Sequence, residues 1–150
     1  MPAPGTQKIT YDSLHRYAVD PNRRVQLPFP WRSAKPIEFT MIVWPQHDCG
    51  PCLRVLPPEE MDKLREKIAA MPTAEKTVLK RHIGSSSARV SVDSAKRLAI
   101  PAEMADAAGI GDEAVFAGML DYFEIWPPQR YAEMKALQKS ELSRALQLLE

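Results

Sequence analysis

The chain has 150 residues, 45% of them hydrophobic and 26% charged, with 20 Lys/Arg against 19 Asp/Glu for a net charge of +1. That is one domain's worth of chain with enough apolar residues for a sizeable core, and the overall charge argues for no partner by itself. Two cysteines do not make a disulfide scaffold, no apolar run approaches membrane-spanning length, and the first residues show neither an apolar core nor a small-residue cleavage pattern. A cytosolic protein with no membrane partner is the expectation.

Residues 9–19 read as a first strand region, closed by Asp20-Pro21-Asn22-Arg23. Those four residues have the chemistry of a tight turn: Asp accepts backbone N–H bonds, Pro sets φ, and Asn suits the third position. A short strand follows and ends at Pro28, because proline cannot donate to a ladder. Phe29-Pro30-Trp31-Arg32 suggests a brief helical or irregular segment. Residues 39–44 are an apolar run of strand length, ended by Pro45-Gln46-His47-Asp48, and residues 52–56 return as a second strand. After Pro57-Pro58 a helix is predicted, with Glu59 and Glu60 at its positive end and Met61, Leu64 and Ile68 as its buried stripe. A second helix covers residues 74–82, and Gly84-Ser85-Ser86-Ser87 reads as a linker.

The second half repeats this order. Residues 88–92 alternate as a strand, Asp93-Ser94-Ala95-Lys96 is a turn, and residues 97–100 alternate again before Pro101, which predicts a β-hairpin around each turn. A short helix runs from Pro101 to the stop at Gly109. Residues 113–117 and 122–126 are strands around a turn at 118–121. A final helix begins near Pro128 with Tyr131, Met134 and Leu137, and restarts near Ser140 with Leu142, Leu146 and Leu149. That last stripe belongs either to the core or to a contact with another subunit.

The repetition is explicit in the residues. Val19-Asp20-Pro21-Asn22-Arg23-Arg24-Val25-Gln26-Leu27-Pro28 matches Val92-Asp93-Ser94-Ala95-Lys96-Arg97-Leu98-Ala99-Ile100-Pro101, at an offset of 93 − 20 = 73. Cys52-Leu53-Arg54-Val55-Leu56-Pro57-Pro58 matches Tyr122-Phe123-Glu124-Ile125-Trp126-Pro127-Pro128 at 122 − 52 = 70, so the first copy holds three extra residues in between. Each turn carries two adjacent cations, Arg23-Arg24 and Lys96-Arg97. Residues 76–97 hold six Lys/Arg against one acid, whereas residues 98–124 hold six acids and no Lys/Arg. Positive charge gathered around a turn suits a polyanion, and the opposed patches also suit contact between copies.

Cys49-Gly50-Pro51-Cys52 matches the active-site tetrapeptide of thioredoxins, which makes a thiol–disulfide oxidoreductase the rival reading. Three features oppose it. Asp48 precedes Cys49, and a neighbouring carboxylate disfavours a thiolate. The repeat aligns residues 53–56 with the strand-like residues 123–126, so Cys52 should open a strand. Pro57-Pro58 breaks any helix in progress. A zinc site from His47, Cys49 and Cys52 lacks a fourth ligand, with His15 and His82 far away in sequence. No phosphate-binding or dinucleotide motif is present, so no cofactor is expected.

The duplicated D-x-x-x-R-h-x-h-P pattern resembles the MraZ family of bacterial transcriptional regulators, two-copy members of the AbrB-like swapped-hairpin superfamily. The match spans residues 11–134 and includes Asp20 and Arg24, Asp93 and Arg97, Leu27-Pro28, Arg32, Ile100-Pro101, Ala108-Gly109 and the Phe123-Glu124-Ile125-Trp126 strand. The resemblance implies a mainly β fold with flanking helices, a duplicated swapped-hairpin (double-split) β-barrel made by intertwining the halves. Its repeats fall at residues 9–83 and 84–134, with a C-terminal helix at 135–150. It further implies a ring-shaped homo-oligomer, cytoplasmic and nucleoid-associated, that binds double-stranded DNA at short direct repeats upstream of the division and cell-wall gene cluster. Enzymatic activity and a small-molecule substrate are not implied. Carried over by position, Arg23, Arg24, Lys96 and Arg97 are the DNA-binding residues, and Asp20 and Asp93 stabilise the turns. One departure stands out: the family usually has Gly where this chain has Arg23 and Lys96. If the turn needs φ > 0 there, each side chain costs on the order of 1–2 kcal/mol.

Overall fold

Among the described residues eight short segments form strands, all paired antiparallel; the outer ones alternate in burial, whereas Cys52–Leu56, Glu113–Gly118 and Phe123–Trp126 are buried on both faces. A computed structural model describes residues 8–45 and 48–150. In chain order the elements are β1 (Leu14–Ala18), β2 (Arg24–Gln26), a one-turn 3-10 helix (Phe29–Trp31), β3 (Glu38–Trp44), β4 (Cys52–Leu56), α1 (Pro58–Ala69) and α2 (Thr73–Ser85). The second half follows with β5 (Ser87–Ser91), β6 (Arg97–Ala99), α3 (Ala102–Ala108), β7 (Glu113–Gly118), β8 (Phe123–Trp126), α4 (Pro128–Leu137) and α5 (Lys139–Gln147). Among the described residues no helix is long and apolar enough to cross a membrane.

Six strands form one sheet in the order β1-β7-β8-β4-β3-β5, and β2 pairs with β6 in a separate ribbon. Exchanging each strand for its repeat mate returns the same order read backwards. The local hairpins expected around residues 20–23 and 93–96 do not form as ladders: β1 pairs with β7, β5 with β3, and β2 with β6. Each turn is present, closed by Asp20 N–H to Arg24 O at 3.0 Å and Asp93 N–H to Arg97 O at 2.9 Å. Beyond it the strands part company. Arg23 at φ 59° and Lys96 at φ 62° put a left-handed residue before each second strand. The partner each strand finds belongs to the other half of the chain, which is the swapped-hairpin arrangement.

Register locates the pseudo-two-fold axis. Val25 faces Leu98, its own mate at 98 − 25 = 73. Arg54 faces Glu124, its mate at 124 − 54 = 70. Arg16 and Arg89, 73 apart, face Val115 and Thr40, which are 115 − 40 = 75 apart. The second half therefore gains 75 − 73 = 2 residues ahead of β7, where α3 replaces the 3-10 turn. The first half gains 75 − 70 = 5 between β3 and β4, the connection that holds Cys49, Gly50 and Pro51.

The core fills the space between ribbon and sheet. Val25 and Leu98 reach inward from the ribbon, and Phe39, Met41, Leu53, Val55, Phe116, Phe123 and Ile125 from the sheet. Trp31 is fully buried among them, 4.9 Å from the Phe123 ring, and donates its Nε1–H to Asp12 O at 3.1 Å. On the sheet's other face α1 and α2 cover Ile42 and Leu56, and α4 covers Val115 and Trp126 through Met134. Gly118 is required where the chain crosses it, since a Cβ there would lie 2.4 Å from Tyr11 O.

Two helix expectations change. The predicted linker at Gly84-Ser85 is the last turn of α2, because the His82 ring bonds Val43 O at 3.0 Å and Ile83 is buried, anchoring that turn to the sheet. At the C-terminus only Met134 of the expected stripe is buried, with Tyr131 half-buried. Leu137, Leu142, Leu146 and Leu149 are all more than half exposed, and α5 has no buried residue.

Candidate nucleic-acid interface

The β2–β6 ribbon buries Val25 and Leu98, so Arg24, Gln26, Arg97 and Ala99 point to its outer face by strand alternation. Arg24 and Arg97 stand on a diagonal of that face, with Cα atoms roughly 8 Å apart. The turns bracket the ribbon. Ile100 N–H donates to Arg23 O at 2.9 Å, and Leu27 N–H donates to Lys96 O at 3.0 Å, so each turn is stitched to the end of the other half's strand.

In the first turn Asp20 Oδ1 accepts from Asn22 N–H at 2.9 Å and Arg24 N–H at 2.8 Å. In the second, Asp93 Oδ1 accepts from Ala95 N–H and Arg97 N–H, both at 2.9 Å. These bonds, led by the one from the Arg97 backbone, hold the Asp93 carboxyl below the usual carboxylate value, and the Arg97 guanidinium adds to the effect. Both aspartates thus spend Oδ1 on the turn and leave Oδ2 to other partners.

The four cations differ in what holds them. Arg24 is exposed, and among the described residues no hydrogen bond or ion pair engages its guanidinium. Arg97, half-buried, donates from Nε to Asp93 Oδ2 at 3.2 Å and places its terminal nitrogen 3.8 Å from Asp20 Oδ2. Arg23 is exposed but tied by Nε to Ile100 O at 3.0 Å. Lys96 is half-buried and lines a cavity of about 160 Å³ together with Arg32, Lys35, Trp31 and Phe39. The two tips are related by the chain's pseudo-symmetry yet present one free and one braced arginine.

Two clusters were not singled out from sequence. Arg32 donates from Nε to Leu27 O at 3.0 Å and lies 5.5 Å from the centre of the exposed Phe29 ring, beside the second tip. On the far side of the core, Arg54 and Glu124 form an ion pair at 3.2 Å, with side chains only 19% and 6% exposed. The Arg54 guanidinium lies 3.8 Å over Trp44 and 5.2 Å from Tyr122, while Glu124 also accepts from Trp126 Nε1 at 3.1 Å. The offset of 70 aligned these two residues as repeat mates; that mates at an axis face each other was the signal available.

Cys52 opens β4 and is fully buried, and burial, aided by the Glu124 charge, pushes its thiol far above the ordinary value. Cys49 lies in the preceding turn, not at a helix N-terminus, and both cysteines are free. His47 lies outside the described residues. Among those described, no group of three His, Cys, Asp or Glu is placed to hold a metal ion.

Comparison with known proteins now decides the family. Residues 85–147 match the family model described as "MraZ protein, putative antitoxin-like". A protein of Polaromonas sp. named "Transcriptional regulator MraZ" is 31% identical over 122 residues, covering 81% of this chain and 84% of its own length. The chain belongs to the MraZ family. Relatives of the same name from Hyphomonas neptunium, 28% identical over 80% of this chain and 74% of theirs, and Roseiflexus castenholzii, 29% over 78% and 80%, agree. The name is that of a regulator of transcription, not of an enzyme. The match to these MraZ proteins covers most of the chain, and the family model covers the second turn and β6.

Proposed function

We propose that this MraZ-family chain is a sequence-specific, double-stranded-DNA-binding transcriptional regulator, cytoplasmic and nucleoid-associated, acting through the outer face of the β2–β6 ribbon and its two turns. The observation that carries the reading is the exposed, unengaged guanidinium of Arg24 on a ribbon whose opposite face is sealed against the core. Arginine can hold the O6 and N7 edges of guanine with two hydrogen bonds, while Arg23, Lys96 and Arg97 supply charge to neighbouring phosphates. Braced by Asp93 and Asp20, Arg97 is the preorganised member of the pair; Arg24 orders on contact.

One ribbon contacts little surface, so a single subunit binds weakly. A closed ring built by head-to-tail contacts presents several ribbons to direct repeats and raises affinity through effective concentration. The exposed leucines of α5, Leu142 and Leu146, offer an apolar stripe for subunit contact. The proposed target is a set of short direct repeats upstream of the division and cell-wall gene cluster. A gel shift against the DNA upstream of the protein's own gene, beside a mass measurement in solution, tests both parts. Arg24→Ala should abolish specific binding with the fold intact. Unchanged footprints in that variant, or a monomer that binds as tightly as the assembly, would count against the reading.

A further inference from the structure

The pseudo-two-fold relates the two ends of the ribbon, but the segments that follow its strands have diverged in charge and shape. After β2 come Pro28, Phe29, Pro30, Trp31 and Arg32; at an offset of 73, after β6, come Pro101, Ala102, Glu103, Met104 and Ala105. Trp31 and Met104 both point into the core. The other positions differ. Phe29 is 78% exposed where the second half has the exposed Ala102, and half-buried Arg32 stands where it has the buried Ala105. Glu103, exposed, replaces Pro30.

Each segment lies against one turn. Leu27, bonded through its N–H to Lys96 O, receives the Arg32 Nε–H on its own carbonyl, so the Arg32 guanidinium is held one residue away from the second tip. Arg32, Lys35 and Lys96 line the same 160 Å³ cavity, whose floor is Trp31 and Phe39. At the other end, Ile100 O accepts from Arg23, and the chain then runs through Pro101 to Ala102 and the acid Glu103. The second tip thus has a cationic flank with an exposed aromatic ring; the first has a small residue and an acid.

We propose that residues 29–35 are a second DNA-contacting element. Lys35 and Arg32 each hold a backbone phosphate beside the second tip, and Phe29 packs on the adjacent sugar. The duplex is therefore gripped along one flank of the ribbon only. A two-fold module with equal flanks suits a palindromic site; unequal flanks give each ribbon a direction on the duplex, which suits an asymmetric box. This inference rests on the DNA-binding reading above.

The test uses the full-length chain, a duplex from upstream of the protein's own gene, and a scrambled duplex of the same composition. Affinities are measured between 50 and 200 mM KCl, with the assembly mass followed by light scattering. Lys35 is exposed, so Lys35→Gln leaves the fold intact. Losing one phosphate contact per bound ribbon lowers the slope of log K on log salt by about 0.9 for each ribbon engaged, on both duplexes alike. Over that fourfold salt range the parent should lose about 3.5-fold more affinity than the variant for each ribbon engaged. Phe29→Ala should weaken binding with the slope unchanged, and Glu103→Gln at the mirrored position should not lower the slope. An unaltered slope in Lys35→Gln, in a parent that binds the duplex, overturns the proposal and leaves the DNA-binding reading standing. So does a change in assembly mass at constant slope, which would assign the cationic flank to a neighbouring subunit. A parent that binds neither duplex overturns the DNA-binding reading itself.

Discussion

Replacing Arg54 by Met keeps most of the aliphatic stem and removes the guanidinium with its charge, hydrogen bonds and stacking. Glu124 would then hold an uncompensated carboxylate in a site where its side chain is 6% exposed, keeping only the Trp126 Nε1 bond at 3.1 Å. Breaking a buried pair by removing one partner costs about 3–5 kcal/mol. The lost stacking on Trp44, at 3.8 Å, adds about 0.5–2 kcal/mol. In a domain of this size each kcal/mol moves Tm by roughly 2–4 °C, so Arg54→Met should lower Tm by at least about 6 °C. Glu124→Gln should cost less, about 1–3 kcal/mol, because the remaining guanidinium is more exposed and still stacked between Trp44 and Tyr122. The double variant should be more stable than the sum of the single losses by at least about 1 kcal/mol. Urea denaturation of the four proteins measures the cycle. Additive losses, or an Arg54→Met cost below about 1 kcal/mol, would show that the pair at the axis does not hold the halves together.

Other expectations follow from single positions. Arg23→Gly and Lys96→Gly each relieve a left-handed residue, at φ 59° and 62°, and remove a cation from the ribbon; Lys96→Gly should raise stability by about 0.5–1 kcal/mol in thermal unfolding, and Arg23→Gly by less, because it loses the Nε bond to Ile100 O. Gly118→Ala should cost about 1–3 kcal/mol or more, since its Cβ would meet Tyr11 O at 2.4 Å. Asp93 has a folded-state value held below the ordinary one, so its contribution to the second turn is present above about pH 4 and lost as pH falls through the lower folded value. The Arg97 amide proton, followed by NMR, should report that titration, and Asp93→Asn should abolish it. In the native protein Cys49 should react with a thiol reagent and Cys52 should not, until denaturant exposes both.

The repeat was legible because its turn chemistry and its strand alternation are local. Asp20 and Asp93 announce the turns, and the residues beside them alternate. What a strand pairs with is not local. The same alternation that places Val25 and Leu98 inward fits a hairpin with β1 and β5 equally well, and the pairing of β2 with β6 joins residues 73 apart that no local pattern connects. Helix ends went astray for a similar reason: Gly84 reads as a breaker, but the His82 bond to Val43 O and buried Ile83 hold the last turn. For the site, charge and position were visible in sequence, whereas engagement was not. Nothing in the motif distinguishes Arg24, free, from Arg97, held by two carboxylates. The flank at residues 29–35 is not legible in the motif because it lies beyond the duplicated stretch, which ends at Pro28 and Pro101.

Exchange of strands between halves also sets the timing of synthesis. When residue 84 leaves the ribosome, β1 still lacks β7, β2 lacks β6 and β4 lacks β8. The 126 − 84 = 42 residues that carry β5 to β8 take on the order of 2–8 s to add at about 5–20 residues per second. Through that interval the nascent chain shows open strand edges with nothing of its own to close them, so its first seconds, rather than its finished state, are when it is most in need of a chaperone's shelter.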